Sequence, residues 1–174
     1  MMVITKNIYL KLALERLCRQ DSLKVNVCIF DISSFSSISE MEKKISSLHI
    51  PLCYRFALLG GSDLCTKALF DFNVISMRLC ISELTFSINK GITLISVIKF
   101  LNECNTLSIF TSRQKLIING LRCQKSITEI SNELGISAKT VYDRANNAAR
   151  RINLRSFAEL IHILRDDARM MVKL

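Results

Sequence analysis

From Ser126 to Ile152 the apolar positions recur with a helical period, broken once. Ile127, Ile130 and Leu134 fall at offsets of three and seven, which places them on one helix face. Ser126, with Glu129 three residues on, has the spacing of a reciprocal capping box and predicts the start of that helix. Gly135 predicts its end, because a residue without a Cβ takes the left-handed conformation cheaply. Ser137 then predicts the cap of a second helix, whose stripe is Val141, Ala145, Ala148 and Ile152. The rest of that second helix is polar and mostly basic: Lys139, Thr140, Tyr142, Arg144, Asn146, Asn147, Arg150 and Arg151. Small alanines let such a helix lie close to its support, leaving a cationic face free for an anionic partner. Two short helices joined by a tight turn, the second one basic, is the outline of a DNA-binding helix-turn-helix.

The same reading extends in both directions. Thr111 with Gln114 predicts another helix start, with Gln114, Ile117, Ile118 and Leu121 on one face. Asn153 is placed as a left-handed turn residue. Ser156 with Glu159 opens a fourth helix, striped by Phe157, Leu160, Ile161 and Leu164. Before residue 105 the pattern alternates between short β-rich runs and helical ones. Val3-Ile4, Val25–Phe30 ending at Asp31, Tyr54–Leu59 and Phe72–Leu79 read as strands. Leu10 to Cys18, a stretch from near Ser39 to Leu48, Ser62–Leu69, Ser82–Ile88 and residues 92–104 read as helices, while Ser33–Ser39 reads as a loop. Asp21-Ser22 is expected to break the first helix. Strands alternating with helices predict an α/β domain with a parallel sheet, followed by an all-α domain of four helices. The expected division is 1–104, a linker at 105–109, and 110–174.

Charge sharpens this picture. The net charge is +9, and after residue 109 twelve Lys/Arg stand against six Asp/Glu, compared with twelve against nine before it. Basic charge is densest where the helix-turn-helix lies, which suits a phosphate backbone. Lys6, Lys11, Glu15 and Arg16 interrupt the first apolar stretch, so no signal peptide is expected. The run Ile92–Leu101 is too short to span a bilayer, and a cytoplasmic protein that does not engage membranes is expected. Cysteines 18, 28, 53, 65, 80, 104 and 123 lack metal-ligand spacing and read as buried thiols in a reducing compartment. With two histidines, and no paired catalytic carboxylates or Gly-rich phosphate loop, we expect no catalytic residues, no metal site, no cofactor and no enzyme activity.

Residues 110–164 resemble the DNA-binding domain of LuxR/FixJ/NarL-type bacterial regulators. The family's opening pattern stands here as Phe110-Thr111-Ser112-Arg113-Gln114, its support helix and turn as Glu129 to Ser137, and the start of its recognition helix as Lys139-Thr140-Val141. Arg155–Leu164 resembles its closing segment. Three positions depart from the family: Gln114 replaces an acid, Gln124 a glycine, and Arg144 a common histidine. Residues 1–104 resemble a degenerate, truncated receiver domain with Asp31 at the phosphoacceptor position. Thr5-Lys6 stands where the acidic pair that holds magnesium should be, and Arg78 near the usual lysine. The chain is short by about one strand-helix unit before Asp31. Phosphorylation is therefore not expected, and Asp31 reads as a cap for the following turn. The layout is similar to short enterobacterial LuxR-type regulators of stress or virulence genes.

The resemblance implies a transcription regulator that binds double-stranded DNA through the major groove. It directs Tyr142, Asp143 and Asn146 to bases and Lys139, Thr140, Arg144, Arg150 and Arg151 to phosphates. Leu160, Ile161 and Leu164 are expected at a dimer contact. The dimer is a homodimer or a heterodimer with another LuxR-type regulator; a phosphorylated response regulator is the third alternative.

Overall fold

The structure is a computed structural model and describes residues 1–19, 26–69 and 72–171. Strands β1 (Met2–Ile4), β2 (Val27–Asp31), β3 (Arg55–Gly60) and β4 (Ile75–Ser76) lie side by side in that order, all parallel. Helices α1 (Ile8–Arg19), α2 (Ile38–Ser47), α3 (Leu64–Ala68) and α4 (Ile81–Lys90) alternate with them. A short fifth strand, β5 (Ile92–Thr93), pairs antiparallel with β3 and leads into α5 (Leu94–Asn105).

The two central strands are apolar on both sides, as a sheet covered on both faces requires. Cys28, Phe30, Phe56 and Leu58 pack towards α2, α3 and α5; Val27, Ile29, Ala57 and Leu59 pack with Leu14 of α1 and Ile88 of α4. Helices α1 and α2 thus lie on opposite faces, although β1 to β2 and β2 to β3 step in the same direction across the sheet. Two such crossovers must have opposite hands, against the strong preference for right-handed ones.

Several expectations are corrected. The sheet is mixed rather than purely parallel, because Gly91 (φ 42) turns the chain back beside Phe56 before the helix at 94 begins. Phe72–Leu79 holds a strand only at Ile75–Ser76. Asn73 takes a left-handed φ of 51 and Leu79 N–H turns back to Ser76 O, leaving only two residues to pair. The serine loop is shorter than expected, since Ile32–Ser34 coils into a 3-10 turn and Ser37 already caps α2. Asp21-Ser22 lies outside the described residues. Of the cysteines, 28, 65 and 104 are buried, but 53, 80 and 123 are exposed. Burial pushes the Cys28 thiol up to about 12, so it stays protonated at neutral pH.

The C-terminal part is α6 (Ser112–Arg122), α7 (Ile127–Leu134), α8 (Ala138–Arg151) and α9 (Phe157–Met171). It shares one apolar core with the α2 side of the sheet. Leu160 and Leu164 of α9 insert beside Ile38, Ala68, Cys104 and Leu107, and Lys67 Nζ meets Glu159 Oε1 at 2.8 Å. Among the described residues no helix is long and apolar enough to cross a membrane.

Candidate nucleic-acid interface

Local chemistry sets the ends of the helices around this face. Thr111 and Gln114 form a capping box on α6, and Ser126 and Glu129 form one on α7. The Ser126 N–H and hydroxyl hold the Glu129 carboxylate below its usual range. Gly135 closes α7 with φ 62 and ψ 33, and Ser137 Oγ accepts from Thr140 N to start α8. The support is close-packed. A Cβ on Gly120 of α6 would lie 2.8 Å from Ile130 Cγ1 of α7, so glycine sets how near those two helices come. Val141, Ala145, Ala148 and Ala149 of α8 are buried against α6, α7 and α9; Ala149 takes the innermost role expected of Ile152, which is only partly buried.

The outer face of α8 is polar. Lys139, Asp143, Asn147 and Arg150 are exposed at offsets of four, eight and eleven, along one line. The Lys139, Arg144 and Arg150 side chains have no hydrogen-bond or ion-pair partner among the described residues, Arg144 being partly buried. The sequence list of candidate contacts omits Asn147; its place four residues after Asp143 is the signal that marks it.

Other candidates are already engaged. Asn146 Oδ1 accepts from Phe157 N at 2.9 Å, so this side chain holds the start of α9. Tyr142 is 48% exposed and lies edge-on to Phe157 at 5.2 Å between ring centres. The Thr140 hydroxyl lies 2.8 Å from Ser137 Oγ. Arg151 donates from Nη1 to Ile109 O at 3.1 Å and to Gln114 Oε1 at 3.4 Å, tying the end of α8 to the segment before α6. Gln114, the position where an acid was expected, thus still receives a basic partner. The residues expected at a dimer contact differ in exposure. Leu160 and Leu164 are 1% and 4% exposed because α9 packs into the chain's own core; only Ile161 is partly open.

The sheet holds a second polar cluster, at the ends of β1 and β2. Asp31 is 3% exposed and fully partnered: Oδ2 accepts from Thr5 Oγ1 and Ser34 Oγ, each at 2.6 Å, and Oδ1 from Ser33 N and Ser33 Oγ. The cap expected of Asp31 is present. Lys6 follows Thr5 in this cluster; its N–H donates to Ser34 Oγ at 2.8 Å and its Nζ pairs with Glu40 Oε1 at 3.0 Å. Burial pushes the Glu40 carboxyl up, but bonds from Ser36 and Lys6 outweigh it and leave it below its usual range. Arg78, exposed beyond β4, carries no interaction with Asp31.

The fold is similar to that of RcsB from Salmonella enterica serovar Typhimurium bound to promoter rprA with a phosphomimetic, with a TM-score of 0.62 and 15% identity over 95% of this chain and 98% of that one. It is also similar to a two-component response regulator RcsB–DNA complex, with a TM-score of 0.58 and 12% identity over 95% and 96%. At these identities the likeness is one of fold. No curated protein sequence is significantly similar to the chain. The sequence family is specific to the helical part: residues 108–164, α6 through the first turns of α9 with the segment before them, match the GerE family, bacterial regulatory proteins of the luxR family, and form a helix-turn-helix domain of that type.

Proposed function

We propose that the chain is a sequence-specific transcription regulator that binds duplex DNA as a dimer by laying α8 in the major groove. The observation that carries this reading is the unpartnered cationic side of α8, held rigidly by its alanine-lined back. The luxR-family match over 108–164 and the fold shared with RcsB, itself seen on DNA, support it. Lys139, Arg144 and Arg150 are assigned to phosphates; Asp143 and Asn147, with Tyr142, are assigned to base edges. Control by phosphorylation is not part of the proposal. Asp31 is enclosed by hydroxyls, and the residues that follow β1 supply Thr5 and a lysine paired with Glu40 rather than an acidic pair to hold magnesium.

A salt titration of binding to duplex DNA tests the assignment. Lys139→Ala and Arg144→Ala should each weaken binding to every sequence and reduce the salt slope by about one. Unchanged slopes for both would remove α8 from the interface. Incubation with a small phosphodonor and magnesium should leave the protein mass unchanged.

A second reading, a mixed dimer with another LuxR-type regulator, has an observation of its own. Ile8, Tyr9 and Leu12 of α1 and Ile81 and Phe86 of α4 are more than half exposed, on the sheet face away from α9. Such side chains favour a protein contact. Sedimentation of the purified chain separates the two: a dimer that binds DNA alone supports the first, and a monomer with weak binding supports the second.

A further inference from the structure

Beside the Asp31 cluster, an open cavity of about 460 Å³ runs between the end of β1 and one face of α2. Lys6, Lys43 and Lys44 line it, with Glu40 as the one carboxylate and Ile4 and Phe35 as its apolar wall. Among the described residues strand β1 pairs only with β2, which leaves β1 at the edge of the sheet. The chains leaving β1 and β2 run to helices on opposite faces. In open α/β sheets that divergence at the carboxyl ends of the strands is where ligands are received. The cavity lies at the β1 edge of the sheet.

We propose that this cavity binds a small phosphate monoester without reacting with it. Its volume lies in the range that small-molecule sites use, about 300–1,000 Å³. Three ammonium groups against one carboxylate leave an excess of two positive charges, and a phosphate monoester carries roughly −1.5 to −2 near neutral pH. The Lys43 and Lys44 ammonium groups have no ion-pair or hydrogen-bond partner among the described residues. Glu40 is neutralised, since Lys6 holds one of its oxygens and Ser36 N–H and Oγ the other. The apolar wall suits the organic part of the ligand. Phe35 is held in place by stacking on Phe30 at 4.6 Å, with Lys6 Nζ 5.4 Å from its ring centre. Asp31 takes no part, because both of its oxygens are covered by hydroxyls.

The test is an amide chemical-shift titration of the full chain with phenyl phosphate and, separately, inorganic phosphate. Phenyl phosphate should give saturable shifts at Lys6, Phe35, Lys43 and Lys44 and bind roughly tenfold more tightly than inorganic phosphate, which lacks a group for the apolar wall. Lys43→Ala with Lys44→Ala should weaken it by about tenfold or more with circular dichroism unchanged, while Lys11→Ala with Arg16→Ala on α1 should not. Shifts without saturation, shifts confined to α8, or equal losses in the two double variants would overturn the proposal. So would an acidic peptide saturating these residues when phenyl phosphate does not.

Discussion

Asp31 and Arg150 each carry a charge at a position that sequence alone marks as chemical, and their surroundings are opposite. Asp31 ends a buried strand with every oxygen matched to a donor. Arg150 lies in the open near the end of α8 with no side-chain partner among the described residues. The first arrangement stabilises the fold and leaves nothing over for a ligand. The second complements the end of α8 and keeps its side-chain hydrogen-bonding capacity for something outside. A charged group is available for recognition where the protein itself leaves it unsatisfied, and that, more than residue type, separates these two positions.

The comparison is broken most directly by removing both charges. Asp31→Ala should cost about 1–3 kcal/mol of stability, because three hydroxyls and an N–H lose a buried acceptor together. Its affinity for DNA, measured on the folded fraction, should not change. Arg150→Ala should do the reverse: stability within about 0.5 kcal/mol of the parent by denaturant titration, with DNA affinity several-fold lower. If both variants behave alike, the distinction is void.

A smaller effect sharpens it at a residue that belongs to both classes. Asn146→Ala should destabilise the helical domain by about 1 kcal/mol, the usual cost of a lost helix-start acceptor, because Phe157 N loses its partner. Thermal melts in the absence of DNA measure this. Gln124 supplies the next. It stands at φ 59 between α6 and α7, where a side chain is strained. Gln124→Gly relieves a left-handed strain of about 1–2 kcal/mol but gives back part of it as unfolded-chain entropy. A modest rise in melting temperature is therefore expected, with DNA binding unaltered.

The smallest effect is at the seam between the domains. The Lys67 ammonium, followed by the Arg155 N–H, holds the Glu159 carboxyl below its usual range. A carboxyl depressed in the folded state stabilises above its unfolded pKa, near 4.3, and loses that contribution as pH falls through the folded value. Stability should therefore fall on acidification below about pH 4.3, and part of that fall should vanish in Glu159→Gln. An acid limb identical in both proteins would show that the Lys67 contact does not hold in solution.

The helical domain was largely legible because its signals are local. The Thr111–Gln114 and Ser126–Glu129 boxes, Gly135 and Asn153 each act within three or four residues, and each sits as its chemistry dictates. At α9 the Ser156 hydroxyl caps Glu159 N, but the Glu159 carboxylate reaches Arg155 N and Lys67 instead of closing the box. The stripe of Leu160 and Leu164 was visible, but its cover was not, since Ile38 and Ala68 lie far away in sequence. The sheet was less legible for the same reason. β5 is two residues long and owes its existence to Phe56, and the bond that defines Asp31 comes from Thr5, 26 positions earlier. Within α8, the line of exposed side chains followed from periodicity, whereas the engagement of Asn146 and Arg151 depended on segments that periodicity does not relate to them.

The bond from Phe157 N to Asn146 constrains what that side chain says to a base. Its carbonyl oxygen keeps a second lone pair, but the bond turns the amide towards the start of α9 and so restricts the paired donor–acceptor contact that asparagine can make with adenine. If α8 lies on DNA as proposed, the orientation of this amide is fixed by the element that closes the domain rather than by the helix that carries it.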